Sequence, residues 1–208
     1  MIVLFAAGGG GDPERHRPLL DHLTAAGCEV VAPRFDRLMP GEASNDDLLA
    51  RPRGLVEALE GTTGEVTVVG HSIGGWAALC LAGATPWGRD RRPLDVPRSS
   101  RVARLVLFAP ATGWFVGPHA VDDVHVPVLA YAGTADTVTP PLQVEVLRKA
   151  PGPVEIRVVP GAGHFSFMNT LPPTVPEDPD FDRPAFLEEL AAETAEFILR
   201  GGTPAAAG

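Results

Sequence analysis

The sequence predicts an α/β fold: a mostly parallel sheet of about six strands, with helices on both faces, in a single domain. Three observations predict it. Short apolar runs without polar alternation recur along the 208 residues, the pattern of strands buried on both faces. Helical patterns separate those runs, as connections between parallel strands require. The stretch Val66-Thr-Val-Val-Gly70-His71-Ser72-Ile73-Gly74-Gly75 runs from a strand through a glycine-flanked serine into a helix-forming segment.

In chain order, residues 2–7 read as the first strand and the glycines from Gly8 to Gly11 as the loop after it. Residues 18–26 read as a helix closed by Gly27, a usual residue past a helix end. Residues 29–33 form the next strand, 34–45 an irregular segment, and 46–60 a helix that Pro52 bends or delays. Residues 65–70 and 74–84 make the strand–turn–helix unit, and 85–101 a loop rich in proline and arginine. Strands are predicted over 104–109, 126–132 and 154–159. A helix over 141–150 begins with proline in its favoured first turn, and the last helix spans 185–199. Residues 201–208 are a tail of small residues, expected to be disordered.

Composition narrows the function. A net charge of −9 argues against nucleic acid or an anionic membrane as partner. No apolar stretch is long enough to span a bilayer. The N-terminus lacks a basic leader and reads as a strand, which with two unpaired cysteines, Cys28 and Cys80, favours a cytoplasmic protein. The arginines between Arg89 and Arg104 crowd one loop and read as a solvated face.

The chemistry centres on Ser72. A strand turns directly into a helix only through a crowded backbone conformation, and Gly70 and Gly74 relieve the crowding because they lack a Cβ. Such a turn exposes the serine hydroxyl and should hold Ser72 at positive φ. A serine hydroxyl needs a base. Of six histidines, His164 stands in a glycine-rich turn after the last strand, at the sheet edge where such folds bind ligands. His16 and His22 read as solvated or capping residues, His71 as pointing away from the serine, and His119 and His125 as surface residues, with His119 an outside candidate for pocket lining. The base in turn needs an acceptor. Asp136 follows a strand directly; capping the next helix is its competing role, and Asp122 and Asp123 are rivals for the acid.

An acyl transfer at Ser72 requires two amide donors for the oxyanion. Ile73 supplies one from the helix start, and the Gly8–Gly11 loop the other. That loop also fits phosphate, but no G-x-G-x-x-G leads into a helix and Pro13 removes a donor. Trp114, Phe115, Phe165 and Met168 are candidates for lining the substrate pocket.

The order Ser72…Asp136…His164, with the acid in a G-x-x-D-x-x-x-P segment, resembles the α/β-hydrolase superfamily over residues 1–200. The resemblance implies Ser72 as nucleophile, His164 as base and Asp136 as acid, with no metal or cofactor. Position matching within the family favours Gly9 as the second oxyanion donor. A narrower similarity, to dienelactone-hydrolase-like proteins, rests on Gly163-His164-Phe165-Ser166-Phe167 and on Phe181-Asp-Arg183-Pro-Ala-Phe186 before the last helix. The chain departs from the family in three places. Ala7-Gly8 stands where His-Gly is usual, Ser72 stands where the best-known dienelactone hydrolases have cysteine, and the two strands that usually precede the first one are missing.

The expected function is hydrolysis of small carboxylic esters or thioesters through an acyl-enzyme. The alternatives are acyl transfer from the same intermediate and a non-catalytic small-molecule-binding protein of the same fold. The segment 112–125 is too short for the lid domain usual in this superfamily, so a shallow groove and short-acyl preference are expected. Its rim would come from residues 8–12, 114–115 and 171–182.

Overall fold

Six strands pair side by side in the order β2-β1-β3-β4-β5-β6, and every pairing is parallel. The structure, a computed structural model, describes residues 1–38 and 43–200. The predicted tail 201–208 and part of the irregular segment 34–45 lie outside them. The strands are β1 Ile2–Ala6, β2 Glu29–Val31, β3 Val66–His71, β4 Val102–Phe108, β5 Val128–Gly133 and β6 Val154–Val159. The helices are α1 Arg17–Ala25, α2 Asn45–Ala58, α3 Ile73–Leu81 and α4 Arg183–Leu199. All six strands and four of the five predicted helices are thus in place.

Because side chains alternate across a strand, the non-alternating apolar strands feed two cores. Leu4, Val68, Leu105 and Leu107 pack with Leu48, Leu55, Trp76 and Leu79 of α2 and α3. Val3, Phe5, Val69, Val106 and Phe108 pack with Leu20, Leu23, Leu190 and Ile198 of α1 and α4. α2 starts at a reciprocal cap: Ser44 Oγ accepts from the Asp47 amide, and the Asp47 carboxylate accepts from the Ser44 amide. The helix continues through Pro52 to Ala58.

The segment over 141–149 departs from expectation. It forms 3-10 turns instead of an α-helix, and Val144 and Val146 there are β-branched residues with lowered α-helical preference. A short 3-10 turn, Thr112–Phe115, was not foreseen. It is the only regular helical element between β4 and β5 among the described residues, so no lid layer is inserted there. Cys28 and Cys80 are both free and buried. Among the described residues no helix is long and apolar enough to cross a membrane.

Candidate active site

Parallel pairing sends every strand's C-terminal end to one edge of the sheet, and the predicted residues collect there. The Gly8–Gly11 loop follows β1, Ser72 follows β3, Asp136 follows β5 and His164 lies in the loop after β6. Ser72 has φ 57° and ψ −121°, the positive φ that the flanking glycines foretold. Those glycines are indispensable to the turn. A Cβ on Gly74 would stand 2.0 Å from the Ala6 carbonyl oxygen, and one on Gly70 2.7 Å from the backbone of Gly74. The Ser72 amide donates to the Phe108 carbonyl, and its carbonyl accepts from the amides of Trp76 and Ala111. Only the side chain is left for chemistry.

His164 joins serine to aspartate. Its Nδ1 lies 2.8 Å from Asp136 Oδ2 and its Nε2 2.9 Å from Ser72 Oγ. A carboxylate only accepts, so Nδ1 carries the proton and donates, which leaves Nε2 to accept from the Ser72 hydroxyl. Asp136 Oδ1 accepts from the amides of Val138 and Thr139, each at 2.7 Å. Thr139 Oγ1 stands 2.7 Å from Asp136 Oδ2, 3.1 Å from the Ala109 carbonyl and 3.1 Å from His164 Nδ1. Burial pushes the Asp136 carboxyl up, but the hydrogen bonds and charge of His164 and the donors of Thr139 outweigh it and hold the carboxyl below its usual value. The aspartate is therefore ionised at neutral pH and faces the imidazole. Its rivals are elsewhere: exposed Asp122 pairs with exposed His119, and Asp123 with Arg98.

One histidine expectation is corrected. His16 is fully buried, its ring between those of Phe5 and His71 at centroid distances of 4.8 and 5.2 Å, because the turn preceding α1 faces the core. Burial pushes its pKa down to about 3. His71, read as pointing away from the serine, sits behind the base. Its Nε2–H donates to the His164 carbonyl at 3.0 Å and its ring lies 5.1 Å from that of His164. Burial first, then the neighbouring His164 and His16, push the pKa of His71 well down, so it remains neutral.

Ile73 opens α3, so its amide has no carbonyl four residues back within that helix. Gly8 abuts the serine, since a Cβ there would lie 3.4 Å from Ser72 Cβ. Gly9 follows in the same loop. Of the four candidates for the pocket, Phe165 lies against the base: its ring meets that of His164 edge-on at 5.2 Å, and both line a cavity of about 120 Å³ with Leu171, Val175, Pro176 and Phe181. Phe115 is instead fully buried, because its 3-10 turn rotates it into the core with the side chains of α3. Met168 is buried in the loop after His164, outside the residues lining that cavity. Trp114 is half-buried and lines a different surface cleft with Trp87 and Val116. The expected rim at 114–115 is thus absent, and Ser72 is only 9% exposed. Thr139, and Arg51 described below, were not singled out from the sequence, nor was the contact of His71 with His164. The contacts of His71 and Arg51 join distant segments, whereas Thr139 bonds Asp136 three residues before it and also reaches Ala109 and His164. Among the described residues no cluster of three or more histidine, cysteine or acidic side chains is arranged to hold a metal ion.

A parallel sheet carrying a strained serine turn and a histidine–aspartate pair on its edge defines the α/β-hydrolase class. The sequence profile of the alpha/beta hydrolase family matches residues 3–118. The chain belongs to that family. No curated protein matches it by sequence. Among solved structures it is similar to a propionate-bound thermophilic esterase from Thermogutta terrifontis, with TM-score 0.65 and 21% identity over 100% of this chain and 85% of that one. It is also similar to a dienelactone hydrolase from Anabaena variabilis, with TM-score 0.67 and 20% identity over 96% and 85% of the two chains. A monoacylglycerol lipase from Paleococcus ferrophilus gives TM-score 0.64 and 17% identity over 96% and 94%. At these identities the likeness is one of fold.

Proposed function

We propose that the protein is a serine hydrolase that cleaves carboxylic esters or thioesters of small, short-acyl substrates through an acyl-enzyme on Ser72. The observation that carries this reading is the hydrogen-bonded line from Ser72 Oγ through His164 to Asp136. Ser72 Oγ attacks the acyl carbon while His164 Nε2 takes its proton, and Asp136 holds the imidazolium through Nδ1–H. The developing oxyanion rests on the amides of Ile73 and Gly9. His164 then returns the proton to the leaving alcohol or thiol, and later takes one from the water that releases the acid. Residues 1–200 act as one catalytic domain with a small-molecule substrate and without metal or organic cofactor. Buried free thiols at Cys28 and Cys80 suit a reducing, cytoplasmic setting.

The short-acyl preference rests on the lack of a lid layer and on the small cavity beside His164. Each methylene buried adds at most about 0.8 kcal/mol, about fourfold in kcat/KM, and the gain ends when the cavity is full. p-Nitrophenyl esters from acetate to decanoate test it, with a maximum expected among the short chains. A steady rise to decanoate would refute the short-acyl reading. A fluorophosphonate should label wild type and not Ser72→Ala, and labelling of both would refute Ser72 as nucleophile.

A further inference from the structure

Arg51 is the only arginine buried among the described residues, at 3% exposure, and it forms no ion pair there. Its four hydrogen bonds all go to main-chain carbonyls. Nη1 donates to Ala7 O at 2.9 Å and Gly8 O at 3.0 Å; Nη2 donates to Gly9 O and Asp36 O, each at 3.2 Å. The guanidinium also lies 4.8 Å from the centre of the Phe35 ring. Room for that ring comes from Gly54 on α2, where a Cβ would meet Phe35 at 2.8 Å.

Burying a cation is costly: burial pushes the pKa of Arg51 down to about 10, and the nearby Asp36 charge offsets only part of that without pairing directly with it. An apolar side chain of similar volume often serves a core as well or better. Stability alone therefore gives a weak reason for arginine here. The geometry of its acceptors gives a stronger one. Ala7, Gly8 and Gly9 are consecutive, and in a trans peptide the C=O and N–H of one unit point in opposite directions. Drawing three successive carbonyls towards one guanidinium turns the amides of Gly8, Gly9 and Gly10 away from it. These amides belong to the loop that abuts Ser72. A cation on the carbonyl side also polarises each peptide unit, which strengthens its N–H as a donor.

We propose that Arg51 is the positioning residue of the oxyanion site, holding the Gly8–Gly10 amides in place for the charge that develops on the substrate oxygen. The inference rests on the hydrolase reading above. Arg51 touches no reacting atom; it acts through the loop. Lysine is a poor replacement, because one ammonium does not span three carbonyls as a planar fork does.

Arg51→Met and Arg51→Lys test the proposal. Gly8 O and Gly9 O keep one main-chain donor each, from the amides of Gly11 and Leu38, so the loop retains a framework without the guanidinium. For Arg51→Met, kcat on p-nitrophenyl acetate should fall about 10- to 100-fold, short of the 10²–10³ for outright loss of one oxyanion donor. KM should stay within about threefold of wild type, since the loss falls on the transition state. Ki for a trifluoromethyl ketone, which forms a charged tetrahedral adduct, should rise in step with the loss of kcat, and Arg51→Lys should fall between the two. If Arg51→Met does not fold, Arg51→Lys carries the same comparison with an expected loss of about tenfold. Wild-type kcat and Ki in a folded Arg51 variant would overturn the inference alone. Absence of Ser72-dependent turnover in the wild-type protein would overturn the hydrolase reading and this inference with it.

Discussion

Asparagine at position 136 would keep the shape of the aspartate and reverse the sense of one hydrogen bond. The surroundings decide which way the amide faces. Oδ1 of Asp136 accepts from two backbone amides, Val138 and Thr139, while Oδ2 faces His164 Nδ1 and Thr139 Oγ1. Turning the NH2 towards the backbone would leave two N–H groups, one buried and one partly buried, without an acceptor. At about 1–3 kcal/mol each, that orientation is disfavoured by about 2–6 kcal/mol. The NH2 must therefore face His164 and donate to Nδ1, which moves the ring proton to Nε2. An Nε2 that bears a proton cannot take one from Ser72. The expected fall in kcat is the same free energy expressed as a rate, about 30-fold to 10⁴-fold at neutral pH. The assay is p-nitrophenyl acetate hydrolysis, with active enzyme counted by fluorophosphonate titration. Asp136→Ala removes the acceptor without supplying the wrong donor, so it should be more active than Asp136→Asn although it deletes more. An asparagine variant within threefold of wild type, or more active than the alanine variant, would refute the reasoning.

Acid should destabilise the protein through its buried histidines. His16 is held at about 3 in the fold against an ordinary 6.5, so only the unfolded chain takes up this proton between those values. The stability is complete above pH 6.5 and is lost as the pH falls towards 3; at pH 4.5 His16 alone removes about 3 kcal/mol. His71 acts in the same direction. Urea midpoints at pH 7 and 4.5 should differ less in His16→Leu than in wild type, and an equal difference would exclude His16 as a source. Gly74→Ala places a methyl 2.0 Å from the Ala6 carbonyl, and it should cost about 3 kcal/mol or prevent folding. At Gly10 nothing lies within 4 Å of an added Cβ, so Gly10→Ala should change stability by about 0.5 kcal/mol or less in thermal melts.

The three residues joined by hydrogen bonds were legible in the sequence because each sits on a loop following a strand of one parallel sheet. Connection handedness then brings them to one edge without knowledge of packing. The strain at Ser72 was legible because two glycines at fixed offsets announce a turn that tolerates no Cβ. Features that depend on segments far apart in the chain were not. Nothing about Arg51 in the middle of α2 reveals that three carbonyls after β1 will surround its guanidinium. His16 reads as a helix-end residue until Phe5 and His71 enclose it. Phe115 reads as a pocket aromatic until its 3-10 turn rotates it inward. Thr139 was overlooked beside the proline that ends its motif, although its hydroxyl reaches the same carboxylate oxygen as the imidazole.

The conformation of Ser72 sets activity against durability. Its backbone angles, φ 57° and ψ −121°, match the first central position of a type II′ turn, where glycine is at ease and other residues are strained by about 1–3 kcal/mol. The strain belongs to any Cβ at the position, whether the side chain is a hydroxyl, a thiol or a methyl. Ser72→Gly should therefore melt above the wild-type protein while losing turnover, and Ser72→Ala should melt close to wild type. The sequence that would make this domain most durable is one that has given up its nucleophile, so selection for thermal stability alone would erode the site from its central residue outward.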